Sequence, residues 1–253
     1  MIICIQGLRD ATGSSFLAAN LAEILAEHES VALISTKPAP GTFETYWGLG
    51  PSSPKSWMRA IGEKLPIENA IERANTGFPV LFPFGLLDAL TTDVVHARAL
   101  SLLTHIEPYR FSTILIDAGD VHNPWSQAFR QRAHRVITVI EPDHDALIRL
   151  MSYQPLESEV FVLNKVIPGS AVGFRLTSFL ETDERFAHRL IRPVLPYDEA
   201  AVESGFLMTR VVKSAPESAI SHALRTLKTT LVAEGLVSNP DATPHPTRGT
   251  NRP

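Results

Sequence analysis

A glycine-bearing turn between an apolar run and an alanine-rich run is the first place where residue types and spacing suggest chemistry. From Cys4 the sequence reads CIQGLRDATGSSFLAANLAEILAE, ending at Glu27. Such a turn can bind phosphate, because the N–H groups at a helix N-terminus point toward an anion that the helix dipole favours. The usual pattern is G-x-x-x-x-G-K-[ST]. Gly13 and Ser15 match it, whereas Leu8 falls at the first glycine and Ser14 replaces the lysine.

The turn by itself permits a second interpretation. Gly7 and Gly13 can make a tight connection that binds nothing, with Ser14 and Ser15 capping the helix that follows. Three distant features favour the phosphate site.

The first is STILIDAGD, an apolar strand that ends in Asp117, which is typical of a strand whose carboxylate supports Mg²⁺. The second is VFVLN, a strand that ends in Asn164, whose amide can read a purine edge. The third is VLPYDEAAVESGFL, whose early residues can lie against a base. Taken singly, an Asp or Asn at a strand end is also common in ordinary turns.

The elements that must position these residues alternate between strand and helix. The predicted strands cover residues 1–6, 30–35, 79–84, 112–117, 135–141, 159–164 and 192–197. They are apolar on both faces, as strands of a parallel sheet covered by helices must be. The predicted helices cover residues 16–27, 56–61, 94–106, 125–132, 145–151, 171–180, 200–205 and 216–234. We therefore predict an α/β fold, a doubly wound and mostly parallel sheet flanked by helices, as one domain over residues 1–237.

Two segments have no such pattern. Residues 36–57 are rich in Pro, Gly, Ser and Thr and form a functional or a mobile loop. Residues 238–253 have no apolar period, and we expect this tail to be disordered.

Composition excludes several function classes. The chain has 253 residues, 44% hydrophobic and 20% charged, which is typical of a globular protein, and its net charge of −4 argues against a nucleic-acid partner. Cys4 is the single cysteine, so no disulfide framework exists and a reducing compartment is expected. No apolar run reaches the roughly 18 residues of a membrane span, and no signal-peptide pattern is present. We expect a cytoplasmic protein without direct membrane insertion.

Together, the four segments resemble the MinD/ParA group of P-loop ATPases, the SIMIBI class. That group has a K-G-G-x-G-K-[ST] loop, whose first lysine reaches the phosphates of a partner subunit. RDATGSS aligns with it without gaps and puts Arg9 at that first lysine. Asp117 matches the Mg²⁺-supporting Asp and Asn164 the base-contacting Asn, while LPYDEAAVES matches the loop near the adenine.

Within that group the sequence is similar to the BcsQ (YhjQ) family of cellulose-synthesis accessory proteins. The similarity covers nearly all of residues 1–235 and rests on an ordered set of segments: CIQGLRDATGSS, LFPFG (81–85), ILIDAGD (114–120), VIEPDHDALIRL (139–150) and VLPYDEA (194–200). The arginine at position 9 and the hydroxyl at position 14 are typical of that family. The chain departs from it at Asp10 and Ala11, where the family has glycines.

The resemblance implies ATP and Mg²⁺ as ligands of a homodimer, with the nucleotide buried between two loops. It implies phosphate contacts from Arg9 and from Ala11, Thr12, Gly13, Ser14, Ser15 and Phe16. It implies Mg²⁺ support from Ser15 and Asp117, and a base site made by Asn164, Pro196, Tyr197 and Asp198. Its implied partners are cytoplasmic-side subunits of the cellulose synthase complex and a small accessory protein, which recruit the chain to the inner membrane.

Hydrolysis is expected to be weak or absent, and no catalytic residue is assigned. Ser14 lacks the lysine charge, and Ser35 and Thr36 stand where the group has an Asp that positions water. Losing one such group can cost about 10²–10³ in rate. Three alternatives stay open: an active ATPase switch for protein or DNA positioning, a scaffold that binds no nucleotide, and a chromosome-partitioning protein. The second is favoured by Asp10 and Ala11. The Asp10 carboxylate repels phosphate unless it points away or pairs with Arg9.

Other features have plainer interpretations. His96, His122 and the 143–145 stretch fit no metal-ligand spacing, and we expect them in solvated loops. Phe78, Phe82 and Phe84 are expected in the core. Trp47 and Trp57 either anchor the 36–57 loop or form a partner surface. The last helix has a mixed polar face, so we expect it to dock on the core rather than on a membrane.

Overall fold

A computed structural model describes residues 1–36, 43–49, 55–73, 80–84 and 91–237. Its strands are β1 (Ile2–Gly7), β2 (Val31–Ser35), β3 (Glu72–Arg73), β4 (Val80–Phe82), β5 (Thr113–Asp120), β6 (Arg135–Ile140) and β7 (Glu159–Leu163). Its α-helices are α1 (Ser14–Ala26), α2 (Phe43–Tyr46), α3 (Trp57–Gly62), α4 (Thr92–Ile106), α5 (Pro124–Arg130), α6 (His144–Ser152), α7 (Ala171–Thr182), α8 (Glu199–Phe206), α9 (Val211–Ser214) and α10 (Ala219–Ala233). Single 3₁₀ turns occur at Ile67–Ala70 and Glu107–Tyr109.

The strands form one sheet in the order β3-β4-β2-β5-β1-β6-β7. Every pairing is parallel except that of β3 with β4. Alternate residues of β1 serve opposite layers, since Ile3 and Ile5 pack under α1 and α10 while Cys4 packs toward α3, α4 and α5. The predicted doubly wound, mostly parallel α/β sheet is therefore confirmed.

The predicted strand at residues 192–197 is wrong. The chain from Arg189 to Tyr197 runs beside β7 but forms only the isolated bridges Phe161–Leu190 and Val166–Pro196. Pro193 and Pro196 have no N–H to donate, so a regular ladder cannot continue there. The prediction also missed β3, α2 and α9, which are too short to show a period.

The last helix docks on the core, as expected. Its apolar face of Ile220, Leu224, Leu227 and Leu231 is buried against α1 and the sheet. Within the described part of the chain, no helix is both long and apolar enough to cross a bilayer.

Both tryptophans of the 36–57 segment lie in the described stretches after β2, residues 43–49 and 55–73. Trp57 is fully buried, donates its Nε1–H to the Ser35 carbonyl at 2.7 Å and packs edge-on against Phe84 and Trp125. Trp47 is partly buried, with the Arg210 guanidinium 3.8 Å from the ring centre. The partner-surface interpretation of Trp57 is therefore wrong.

Some predictions concern residues outside the described ranges. They include the core position of Phe78, part of the 36–57 loop and the disorder of the 238–253 tail. Phe82 and Phe84, by contrast, are buried as expected.

Candidate functional site

The turn between β1 and α1 is built around close backbone approaches. A Cβ at Gly7 would lie 2.3 Å from the Thr12 hydroxyl and 2.4 Å from the Arg9 carbonyl oxygen, so only glycine fits there. Gly13 has a φ of 95° and is the N-cap of α1, with no side-chain cap. The interpretation in which Ser14 and Ser15 cap the helix is therefore wrong. Since the first turn of a helix lacks intrahelical carbonyl partners for its N–H groups, this end of α1 is suited to an anion.

A cleft of about 360 Å³ opens at this helix end. That volume lies in the range of small-molecule sites. Its lining residues are Ala11, Gly13, Ser14, Ser15, Phe16, Tyr46, Asn164, Lys165, Pro196, Tyr197, Asp198, Ala201, Val202 and Ile220. All of the predicted nucleotide-contacting residues line it except Arg9 and Thr12. The structure thus brings together three segments that are distant in the sequence.

Asn164 holds the turn from the opposite wall. Its Nδ2–H donates to the Thr12 carbonyl at 2.8 Å, and a Cβ at Gly13 would lie 2.2 Å from that nitrogen. Asn164 is 3% exposed and Thr12 1% exposed, so this hydrogen bond is shielded from water. The amide oxygen remains as an acceptor, and its predicted contact with a base stays a prediction.

Arg9 lies among carboxylates beside the cleft. Its Nη2 donates to Glu141 at 3.1 Å and to Asp143, and its Nε lies 3.9 Å from Asp145. Burial opposes ionisation of Asp143, but the backbone N–H of Ala146 and the Arg9 guanidinium outweigh it and lower the pKa of this carboxyl. Arg9 can reach phosphate only after these ion pairs separate.

The 143–145 stretch also differs from the predicted solvated loop. Asp143 caps α6, because its Oδ1 accepts from the Ala146 N–H at 2.7 Å, while it also pairs with Arg9. Within the described residues no group of three or more His, Cys, Asp or Glu side chains is arranged to hold a metal ion.

Asp10 does not line the cleft. Its side chain is exposed, and Arg9 bonds to its backbone carbonyl rather than to its carboxylate. The expected repulsion between this carboxylate and a bound phosphate is weakened by that placement.

Asp117 is buried within β5 rather than at its end, since the strand continues to Asp120. Its Oδ2 accepts from the Phe43 N–H at 3.3 Å, and its carbonyl accepts from the Thr36 hydroxyl at 2.9 Å. Mg²⁺ that accompanies a nucleotide needs only one or two protein oxygens, because phosphates and water complete its octahedron. The Ser15 hydroxyl and the Asp117 carboxylate are hard oxygen donors of that kind. Ser15 lines the cleft, whereas Asp117 is fully buried and does not line it, so their shared Mg²⁺ role stays a prediction.

Asp198 ties the outer wall of the cleft together. Its Oδ1 accepts from the Ala200 N–H at 2.9 Å and its Oδ2 from the Ile220 N–H at 3.1 Å. The carboxylate therefore joins the start of α8 to the start of α10 and positions Tyr197, which is 51% exposed at the rim.

Lys165 is the charged cleft residue that the sequence analysis missed, beside the uncharged Tyr46, Ala201, Val202 and Ile220. It follows Asn164 directly, and the carboxyl ends of parallel strands are where ligands of such sheets bind. A lysine directly after an Asn at a strand end is therefore a sequence signal that predicts a residue of the ligand site.

Comparisons with solved structures show the fold. The MinC:MinD cell division protein complex of Aquifex aeolicus is 15% identical, with a TM-score of 0.75 over 92% of this chain and 95% of that one. A ParA family ATPase from Chlorobium tepidum is 19% identical, with a TM-score of 0.69 over 91% and 98%. The septum site-determining protein MinD from Pyrococcus horikoshii, complexed with Mg-ADP, is 20% identical, with a TM-score of 0.65 over 90% and 93%. No curated protein gives a significant match.

A family comparison is more specific. The family described as cellulose biosynthesis protein BcsQ matches residues 1–231. That range includes every residue that lines the cleft, from Ala11 to Ile220. The chain belongs to the BcsQ family of cellulose biosynthesis proteins, on a MinD/ParA-like P-loop fold.

Proposed function

We propose that this protein is an ATP-binding, dimerising scaffold that regulates the bacterial cellulose synthase complex from the cytoplasmic face of the inner membrane. The observation that carries the proposal is the cleft at the N-terminus of α1, whose N-cap residue is Gly13. It combines an anion-binding helix end with an apolar outer wall, as a nucleotide requires.

The cleft residues divide by chemistry. The backbone from Ala11 to Phe16 would hold phosphates, and Ser15 with Asp117 would hold Mg²⁺. Asn164 and residues 196–198 would face the base, with Asp198 acting through the backbone bonds that position the wall. In the dimer, the negatively charged phosphates of bound Mg-ATP would lie between the β1–α1 turns of the two subunits and hold them together.

Weak or absent hydrolysis follows from the residues at positions 14, 35 and 36. Ser14 provides no charge for the transferred phosphoryl group. Thr36 uses its hydroxyl to donate to the Asp117 carbonyl, and no carboxylate stands at positions 35 or 36 to orient water. Positioning and electrostatic stabilisation supply nearly all catalysis in phosphoryl transfer, so their loss leaves ATP as a structural ligand.

Titration calorimetry with Mg-ATP tests the binding. Saturable heat is expected for the wild type, with a weaker and less Mg²⁺-dependent response for Asp117→Asn. Asp120→Asn is the matched control, because Asp120 ends the same strand, and its carboxylate caps the next turn through the His122 N–H. No heat at about 100 μM of folded protein would contradict the proposal.

Light scattering tests the dimer, which should form with Mg-ATP and dissociate without it. A phosphate-release assay tests the weak hydrolysis. Steady turnover that is lost in Asp117→Asn would favour the active ATPase switch instead.

A scaffold that binds no nucleotide is the second candidate. It is favoured by the ion pairs with Glu141 and Asp143 that hold Arg9 beside the cleft and outside its lining. The same calorimetry separates the two, since this candidate predicts dimerisation or partner binding that is indifferent to ATP.

The link to cellulose rests on family membership. Deleting the gene in its native bacterium should abolish or reduce cellulose output, and the wild-type gene should restore it. Co-purification with synthase subunits or a small accessory protein would support the partner assignment. Normal cellulose with defective plasmid or chromosome segregation would contradict it.

A further inference from the structure

The cleft has a lysine on its wall, but it lacks the lysine that a standard phosphate loop provides. Position 14, the usual place of the phosphate-binding lysine, is serine. Of the described residues that line the cleft, Lys165 is the only one with a cationic side chain. A triphosphate in the cleft would therefore find its positive charge on the wall opposite α1.

The surrounding backbone fixes the position from which the Lys165 side chain extends. It has a φ of 57°, and its neighbours are held by backbone bonds from Asn164 to Ile140 and from Val166 to Leu195. A left-handed conformation is uncommon for a residue with a side chain, and surrounding structure must enforce it.

The side chain reaches the phosphate loop itself. Lys165 Nζ donates to the Ala11 carbonyl at 2.6 Å and to Glu141 Oε2 at 3.0 Å. An ammonium has three N–H groups, so one is left for a further acceptor. Because Ala11 and Lys165 both line the cleft, this contact borders the space proposed for the phosphates.

The Glu141 ion pair is suited to exchange. Glu141 also pairs with Arg9, and the side chains of Lys165 and Glu141 are 35% and 26% exposed. Ion pairs at this exposure are weak, because water screens them. A phosphate group that carries more charge than one carboxylate can compete for the ammonium.

We propose that Lys165 binds the phosphates of the nucleotide and replaces, from the opposite wall, the loop lysine that is missing at position 14. The inference rests on the proposed nucleotide function and adds to it the residue that compensates for Ser14. It differs from a base-contacting role, since the nitrogen bonds to the phosphate loop.

The test is the affinity of Lys165→Met for Mg-ATP, Mg-ADP and AMP, measured by calorimetry. Losing a charge-assisted hydrogen bond should weaken Mg-ATP binding by about tenfold to a hundredfold. The loss should shrink as phosphates are removed and nearly vanish for AMP. Lys165→Arg should keep most of the affinity, and Lys64→Met, at an exposed site outside the cleft, should keep all of it.

A rescue distinguishes charge from architecture. Ser14→Lys in the Lys165→Met background should restore Mg-ATP affinity, because it returns a cation to the other side of the same phosphates. Thermal unfolding of each variant verifies that the fold is retained.

Three outcomes overturn the inference. Unchanged Mg-ATP affinity in Lys165→Met refutes it and leaves nucleotide binding intact. An equal loss for ATP, ADP and AMP refutes it too, since that pattern assigns Lys165 to the base or to loop structure. Absence of binding by the wild type refutes the proposed function and this inference with it.

Discussion

Replacing Gly13 by alanine tests whether the turn and the Asn164 wall form one unit. Gly13 has a φ of 95°, and its missing Cβ would lie 2.2 Å from Asn164 Nδ2. The added methyl group therefore meets two penalties: left-handed backbone strain, and displacement of an amide that donates to the Thr12 carbonyl.

Gly169→Ala is the matched control for the first penalty. Gly169 has a φ of 75° with no atom within 4 Å of the added Cβ. Left-handed strain costs about 1–2 kcal/mol at either position. At Gly13 the buried amide and carbonyl also lose their hydrogen bond, which adds about 1–3 kcal/mol.

Thermal unfolding measures the difference. For a chain of this size about 1 kcal/mol corresponds to roughly 2–4 °C. Gly13→Ala should therefore lower Tm by roughly 2–12 °C more than Gly169→Ala does. It should also weaken Mg-ATP binding, because the turn that faces the cleft is displaced. Equal Tm losses in the two variants would refute the idea that Asn164 supports the turn.

Two further predictions concern ion pairs. Arg130→Met removes the ion-pair partner, at 3.0 Å, of the fully buried Glu159 carboxylate, and should lower the free energy of unfolding in urea by about 3–5 kcal/mol. Arg59→Met removes one member of an exposed helical pair and should lower it by less than about 1 kcal/mol. Burial opposes ionisation of Asp143, but the Ala146 N–H and Arg9 outweigh it and lower the pKa of this carboxyl in the folded protein. The ionised carboxylate therefore stabilises the fold fully above its unfolded pKa of about 4, and this contribution is lost as the pH falls through the folded pKa. The unfolding free energies of wild type and Asp143→Asn should therefore differ most at neutral pH and converge in acid; a constant gap would contradict this.

Local signals in the sequence account for the elements and for most of the cleft. Long strands such as β1 and β5 are apolar on both faces, which predicts that both faces are buried. The glycines around the turn predict tight backbone geometry. The apolar residues at 192–197 predict a strand, but this stretch makes only an isolated bridge, because its prolines lack the N–H groups that a ladder needs.

By itself the sequence determined the α/β class, the turn that resembles a phosphate-binding loop, and the strand ends near that turn, because these depend on local pattern. Only the tertiary structure decided which side chains meet. Arg9 pairs with Glu141 132 residues away, and Lys165 reaches Ala11 across 154 residues. Side-chain direction at a strand end depends on the neighbouring strands and helices, so spacing along the chain could not reveal that Arg9 lies among carboxylates while Lys165 faces the cleft.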